Sequence, residues 1–141
     1  MKWFFDTSTL VATFWGDHPD HEKSLKSFAL ASKSTGACGA HSLAEVYAVL
    51  TRLPIRPAIS ATDALVFIKE IENRLTVVTL DEKAYLDTIK HAVGINLIGG
   101  QIYDALLLKA AEQVKAKSIL TWNTGHFRHI APSLANRIKT P

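Results

Sequence analysis

An α/β fold built around a mostly parallel sheet is what this sequence predicts, on three observations. Short apolar runs rich in aromatic or β-branched residues alternate along the chain with amphipathic, helix-length segments. The candidate strands are separated by helical segments, which implies right-handed crossovers between parallel neighbours. The chain has 141 residues and is 48% hydrophobic, which suits one compact domain over residues 1–141.

The elements follow in order. Lys2–Phe5 is aromatic, ends at Asp6-Thr7-Ser8 and reads as the first strand. His21–Lys33 consists of helix formers, with apolar residues at 25, 28 and 29. Gly36–Ala40 reads as a second strand made of small residues. Ser42–Leu53 places Leu43, Val46, Tyr47 and Leu50 on one helical stripe, and Pro54 and Pro57 stop it. Ala61–Ile71 is opened by Ser60 with Asp63 three residues on, a capping-box pattern. Leu75–Leu80 is β-branched and reads as a third strand. Thr79-x-x-Glu82 repeats the capping pattern before a helix over Asp81–Ala92. Gly99-Gly100 introduces a helix over Gln101–Lys115, striped by Tyr103, Leu106, Leu107, Ala110 and Val114. Ser118–Trp122 is a fourth strand, and Ala135–Lys139 a short edge strand. The expected sheet therefore has four to five strands.

Composition narrows the function classes. Enough apolar surface is present to offset chain entropy, which excludes an intrinsically disordered chain. The longest unbroken apolar runs, Val46–Leu50 and Ala64–Ile68, are far short of the roughly 20 residues a spanning helix needs. No signal peptide is read at the N-terminus, where Asp6 interrupts the apolar run. One cysteine, Cys38, excludes a disulfide framework and fits a reducing, cytoplasmic setting. The net charge is +3, unevenly distributed. Residues 113–141 carry Lys115, Lys117, Arg128, Arg137 and Lys139 and no acid, giving +5 against −2 for the rest. That asymmetry is compatible with nucleic-acid contact and equally with a solvated surface.

In a parallel sheet, ligands bind beyond the carboxyl ends of the strands. Three acids are expected there. Asp6 follows the first strand directly, Glu45 lies in the first turn after the second, and Asp104 lies in the first turn of the helix opened by Gly99-Gly100. Each also has an ordinary structural use. Glu45 stands three residues after Ser42, as in a capping box; Asp104 complements a helix dipole; Asp6 can bond nearby backbone amides. If the three converge, like charges in a partly dry cleft need a counter-ion. Magnesium, or manganese, takes oxygen ligands and keeps several waters. Such an ion activates water and neutralises charge developing on a phosphate. The fourth strand ends in Thr121-Trp122-Asn123-Thr124-Gly125-His126-Phe127. Thr121 and Asn123 belong at the same rim. Asn123 can offer a neutral oxygen to an ion or its water shell, and His126 can position phosphate or help proton transfer. The alternative for this segment is a plain strand-to-turn motif anchored by Phe127.

These segments together resemble the PIN-domain family, and within it the VapC-type toxins of bacterial and archaeal toxin–antitoxin pairs. Phe5-Asp6-Thr7-Ser8-Thr9-Leu10 matches the opening strand and first acid, and His41-Ser42-Leu43-Ala44-Glu45-Val46 the segment of the second. Gly99-Gly100-Gln101-Ile102-Tyr103-Asp104-Ala105-Leu106 is similar to the stretch carrying the third, and Thr121–Phe127 stands where the family has its closing motif. The resemblance implies a three-layer α/β/α sandwich and a Mg2+- or Mn2+-dependent endoribonuclease whose catalytic, metal-holding acids are Asp6, Glu45 and Asp104. It also implies a homodimer, RNA substrates such as transfer RNA, and a cognate antitoxin that occludes the site, often with a basic side chain. Many relatives carry aspartate where this chain has Asn123, so the site has one negative charge fewer and a second metal ion is in question. On this reading a metal-activated water attacks phosphorus in line, Asn123 orients that water or the metal shell, and Thr7 or Ser8 supports Asp6. The five basic residues of the tail hold the RNA backbone.

Two readings compete. A haloacid-dehalogenase-type phosphatase also places Asp after a first strand, but its second Asp, two residues on, is Ser8 here. A PIN-like RNA-binding module that has lost activity would be consistent with Asn123. Elsewhere, Asp17-His18-Pro19-Asp20-His21 spaces two histidines like transition-metal ligands, or is a polar loop whose Asp20 caps a helix. Gly99-Gly100 lacks the Gly-Lys-Ser/Thr of a phosphate-binding loop. Cys38 reads as a buried thiol, and Trp3, Trp15 and Trp122 as packing residues rather than base-stacking ones. His41, His91 and His129 receive no role.

Overall fold

The strands are short, and the central ones are buried from both sides. In the computed structural model, which describes residues 1–141, they are β1 (Trp3–Phe5), β2 (Gly36–Gly39), β3 (Thr76–Val78), β4 (Ser118–Leu120) and β5 (Ile138–Lys139). They form one five-stranded sheet in the order β3-β2-β1-β4-β5, and every neighbouring pair is parallel. β1 is central, with Phe4 in register with Ala37 on one side and Ile119 on the other. Successive residues of a strand face opposite ways, and a parallel sheet is covered on both faces. Phe4, Ala37 and Ile119 accordingly join one core with Leu107, Leu108, Phe127 and Ile138. Phe5, Cys38 and Leu120 join the other, with Leu10, Phe28, Val46, Leu50 and Ile71.

The helices make the outer layers. α1 (Thr7–Phe14), α2 (His21–Leu30), α3 (Ala40–Arg52) and α4 (Ala61–Arg74) cover the Phe5 face. α5 (Glu82–Gly94), α6 (Gln101–Gln113) and α7 (Thr124–Ile130) lie on the Phe4 side, where α6 and α7 supply its core and α5 packs on α6. The result is the expected three-layer sandwich. No helix is long and apolar enough to cross a membrane.

The composition of β2 follows from how closely its neighbours approach. A Cβ at Gly36 would lie 2.8 Å from Leu75 Cδ2, and one at Gly39 2.7 Å from Leu107 Cδ2. Only glycine leaves room for these contacts, so the strand has little of the β-branched signal that marks other strands.

Several boundaries differ from the sequence reading. α1 follows β1 directly, where no helix was expected: its Thr and Val residues are weak helix formers, and five consecutive residues, Thr9–Thr13, are buried, leaving no amphipathic stripe. α7 replaces the expected turn after β4; it has only seven residues and contains Gly125. α3 begins at Ala40, so Ser42 lies inside the helix, buried, and Gly39 occupies the cap position. Glu45 is therefore not in the first turn. The Thr79-x-x-Glu82 box does not form either; Asp81 caps α5 by accepting from the Ala84 amide at 2.8 Å. Ser60 does cap α4, accepting from the Asp63 amide at 3.0 Å. Asp20 stands at the start of α2 but makes no side-chain cap bond.

Candidate active site

The chain runs from β1 through β2 to β3 on one side of the sheet and then crosses to β4 on the other. The ends of β1 and β4 therefore flank the point where strand order reverses, where parallel sheets open a crevice. Asp6 and Thr121 are the first residues beyond those ends.

Asp6 is 3% exposed and Thr121 is fully buried. The Asp6 Oδ2 atom accepts three hydrogen bonds: from Ser8 Oγ at 2.7 Å, Thr121 Oγ1 at 2.8 Å and the Ser8 amide at 3.3 Å. The last of these makes Asp6 the N-cap of α1, the backbone bond anticipated for it. Ser8 Oγ in turn accepts from the Trp122 amide at 3.0 Å, and Thr121 Oγ1 from the Asn123 amide at 3.0 Å. The strand-to-helix turn after β4 is thus tied to the one after β1. No side chain donates to Oδ1, and it is not a sealed, unpartnered atom; the one such side-chain atom in the chain is Trp15 Nε1. One oxygen is thus fixed by hydroxyls, and the other is claimed by none. Burial pushes the Asp6 carboxyl above its ordinary range, against the lowering effect of these hydrogen bonds.

Glu45 approaches from α3. Thr7 lies between it and Ser42, with its Oγ1 3.1 Å from Glu45 Oε1 and 2.9 Å from Ser42 Oγ. The residue after Asp6 therefore holds the second acid. His41 Nε2 lies 3.7 Å from Glu45 Oε1, one turn earlier on α3. The Glu45 carboxyl is raised, mainly by burial and further by the Asp6 charge, with Thr7 and His41 pulling the other way. Asp104 approaches from the first turn of α6. Its Oδ2 lies 2.8 Å from His126 Nε2, on α7. Its carboxyl is pushed up to about 6, first by burial, then by Asp6 and to a smaller degree by Glu45, with His126 opposing.

Three acids from widely separated parts of the chain thus feel one another's charge at one edge of the sheet. They do not form a ready-made cage: no three His, Cys, Asp or Glu side chains stand close enough to hold one metal ion between them. The donor set is nevertheless the oxygen-only kind that suits a hard dication, and magnesium is commonly held by one or two carboxylates with water completing its shell. An Asp6 oxygen that no side chain claims, and three carboxyls raised chiefly by burial, fit such an ion.

Other expected site residues fall in different places. Asn123 is exposed at the rim, and its side chain bonds no protein group. Lys115 and Lys117 precede β4 and Arg137 precedes β5, so these three lie at the opposite edge of the sheet from the acids, around one open groove. Arg128 donates to the Ile138 carbonyl at 2.7 Å and to that of Ala135 at 3.4 Å, tying α7 to the C-terminal strand. Lys139 ends β5 on the acid side, and its carbonyl accepts from the Thr121 amide at 3.0 Å. His18 Nδ1 accepts from the Asp20 amide and His21 Nδ1 bonds the Ala12 carbonyl, so both serve the loop. Trp122 Nε1 donates to Ser24 Oγ at 2.8 Å.

Two features escaped the sequence. The sequence marks Ser42 only as a cap. It places Tyr103 on the apolar stripe of its helix, yet Tyr103 is 47% exposed and stacks on His41, with ring centroids 4.8 Å apart and planes 14° off parallel. The only sequence signals were the i, i+4 spacing of His41 and Glu45 and the adjacency of Tyr103 to Asp104.

Comparison with known proteins agrees with this fold. The PIN domain family matches residues 3–131. Ribonuclease VapC40 of Mycobacterium tuberculosis, in two strains, is 31% identical over 112 residues, 79% of this chain and 80% of its own. Among solved structures, M. tuberculosis VapC20, a Sarcin-Ricin loop cleaving toxin, superposes with a TM-score of 0.73 at 16% identity, over 92% of this chain and 95% of that one. A toxin–antitoxin complex from Klebsiella pneumoniae gives 0.66 at 15% identity, over 99% and 98%. VapBC2 from Rickettsia felis, bound to a DNA fragment from its promoter, gives 0.66 at 16% identity, over 99% and 98%. At these identities the solved structures establish the fold.

Proposed function

Because the chain belongs to the PIN-domain family, and within it to the VapC-type toxins, we propose that it is an endoribonuclease that hydrolyses RNA phosphodiester bonds with the help of a divalent metal ion. The observation that carries this is the placement of Asp6, Asp104 and Glu45 at one edge of the sheet, by its reversal point, each carboxyl raised, with one Asp6 oxygen that no side chain claims. Asp6, Asp104 and Glu45 would hold Mg2+ or Mn2+, directly or through water. Such an ion, when bound, supplies a nucleophilic water and offsets the charge that builds on the phosphate.

The protein groups have separate tasks. Ser8 and Thr121 orient Asp6 by fixing Oδ2. Thr7 orients Glu45. His126, against Asp104 Oδ2, holds a ring nitrogen where it can position a phosphate oxygen or exchange a proton with the leaving oxygen. Asn123 adds an uncharged amide at the rim. Lys139 is the tail residue placed to meet the RNA backbone at this edge. Lys115, Lys117 and Arg137 meet only RNA long enough to reach the far edge, and Arg128 contributes from α7.

The same reading includes a homodimer and an antitoxin chain that covers the acid edge; relatives of this fold have been solved as toxin–antitoxin complexes. Purified chain should cleave RNA with Mg2+ or Mn2+ and stop on chelation. Asp6→Asn and Asp104→Asn should each lose at least about a hundredfold in rate. Full activity in either variant refutes the assignment, and RNA retention without cleavage by the wild type points to a binding module.

A further inference from the structure

Stacked aromatic rings beside the acid edge have no task in the reading above. His41 projects from α3 and Tyr103 from α6, and their near-parallel rings join the two helices that deliver Glu45 and Asp104. Neither residue belongs to a hydrophobic core. Tyr103 remains nearly half exposed, and its hydroxyl forms no hydrogen bond within the protein. The pair is also tied closely to the acids: His41 Nε2 is 3.7 Å from Glu45 Oε1, and Tyr103 is the residue before Asp104. Tyr103 is hydrophobic surface kept in solvent beside a site that handles phosphates. A nucleobase is the planar, apolar-faced group that accompanies every RNA phosphate, and aromatic side chains hold unstacked bases by their π faces.

We propose that the His41–Tyr103 stack is a nucleobase subsite, in which a base next to the scissile phosphate continues the stack on the exposed ring of Tyr103. The proposal deepens the ribonuclease reading and rests on it. Stacking requires a base free of its own helix, so the subsite takes a nucleotide unpaired at the cleavage site. Because every base has a π face, the subsite positions the strand more than it selects a sequence.

The test is a binding measurement in chelator, without cleavage. The probe is a short single-stranded RNA with one 2-aminopurine flanked by abasic residues, so that only the protein can stack on it. Wild type and Tyr103→Phe should quench its fluorescence alike. Tyr103→Leu, which keeps helix propensity and apolar volume but removes the π face, should bind about tenfold to a hundredfold more weakly and leave the probe unquenched. Quenching that persists in Tyr103→Leu, or is lost in Tyr103→Phe, overturns the proposal. A second measurement needs no variant: 5-iodouridine in the same position should photo-crosslink wild-type protein at Tyr103 or His41, and a crosslink confined to other residues contradicts it. Failure of the ribonuclease reading would show separately, as absence of Mn2+-dependent cleavage by the wild type.

Discussion

Under the proposed function Asp6 divides its two oxygens between structure and chemistry, and this division makes the local assignments testable. Three donors hold Oδ2, of which Thr121 Oγ1 is the buried one reaching across from the β4 side. A hydrogen bond to a charged group contributes about 1.5–3 kcal/mol. Thr121→Val keeps the side-chain shape and removes that donor, so cleavage should fall by about tenfold or more, while Thr121→Ser should retain most of it; single-turnover rates check both. Asp104 gives a prediction of opposite sign for stability. Its carboxyl is raised to about 6 in the folded chain from an ordinary 3.8. The folded state therefore binds the proton more tightly than the unfolded state, and stability is lost as pH rises through about 4 to 6. Without metal, Asp104→Asn should be more stable than wild type at pH 7 by about 1–2 kcal/mol after allowance for partial exposure, with the difference vanishing near pH 4; urea melts in chelator measure it. Asp6 and Asp104 were legible in the sequence because a carboxylate just past an aromatic strand, or in a helix's first turn, has few places to go. The Thr7–Ser42 contact was not, because it joins residues 35 positions apart.

At the scale of elements, the sequence spoke clearly where a segment buries one face and poorly where it buries everything. α4 and α5 have amphipathic patterns and polar caps, and both stand close to their expected bounds. α1 is buried along its middle and built from β-branched residues, so neither propensity nor periodicity marks it. β2 is hidden for a packing reason, and that reason is a prediction. Gly39→Ala would put a Cβ against Leu107 Cδ2, and such overpacking costs about 1–3 kcal/mol, read as a lowered urea midpoint. The same strand seals Cys38, whose thiol burial pushes up to about 12. The native thiol should stay unreactive toward a thiol reagent at pH 8 and become reactive only on unfolding.

Across the whole molecule, the parallel sheet separates two chemistries. The carboxyl ends of β1, β2 and β4 lead to Asp6, Glu45 and Thr121, while the opposite edge carries Lys115, Lys117 and Arg137. The basic tail was legible as charge, but its division between the two edges depends on strand direction and order, which one sequence does not display. That Asp6, Glu45 and Asp104 lie toward one end of the sheet was legible because parallel strands bring their ends to one side. Thr121 was foreseen only as a neighbour at the rim, and His126 as a group for phosphate or proton transfer rather than as the partner of Asp104 Oδ2. The central claim is that these carboxylates share a divalent ion at that edge. Anomalous diffraction from crystals soaked in Mn2+ measures it most directly. The account predicts a manganese peak beside Asp6 Oδ1 and Asp104, absent in Asp6→Asn. An empty acid edge in wild-type crystals, from protein that cleaves RNA in the same Mn2+ solution, would contradict it.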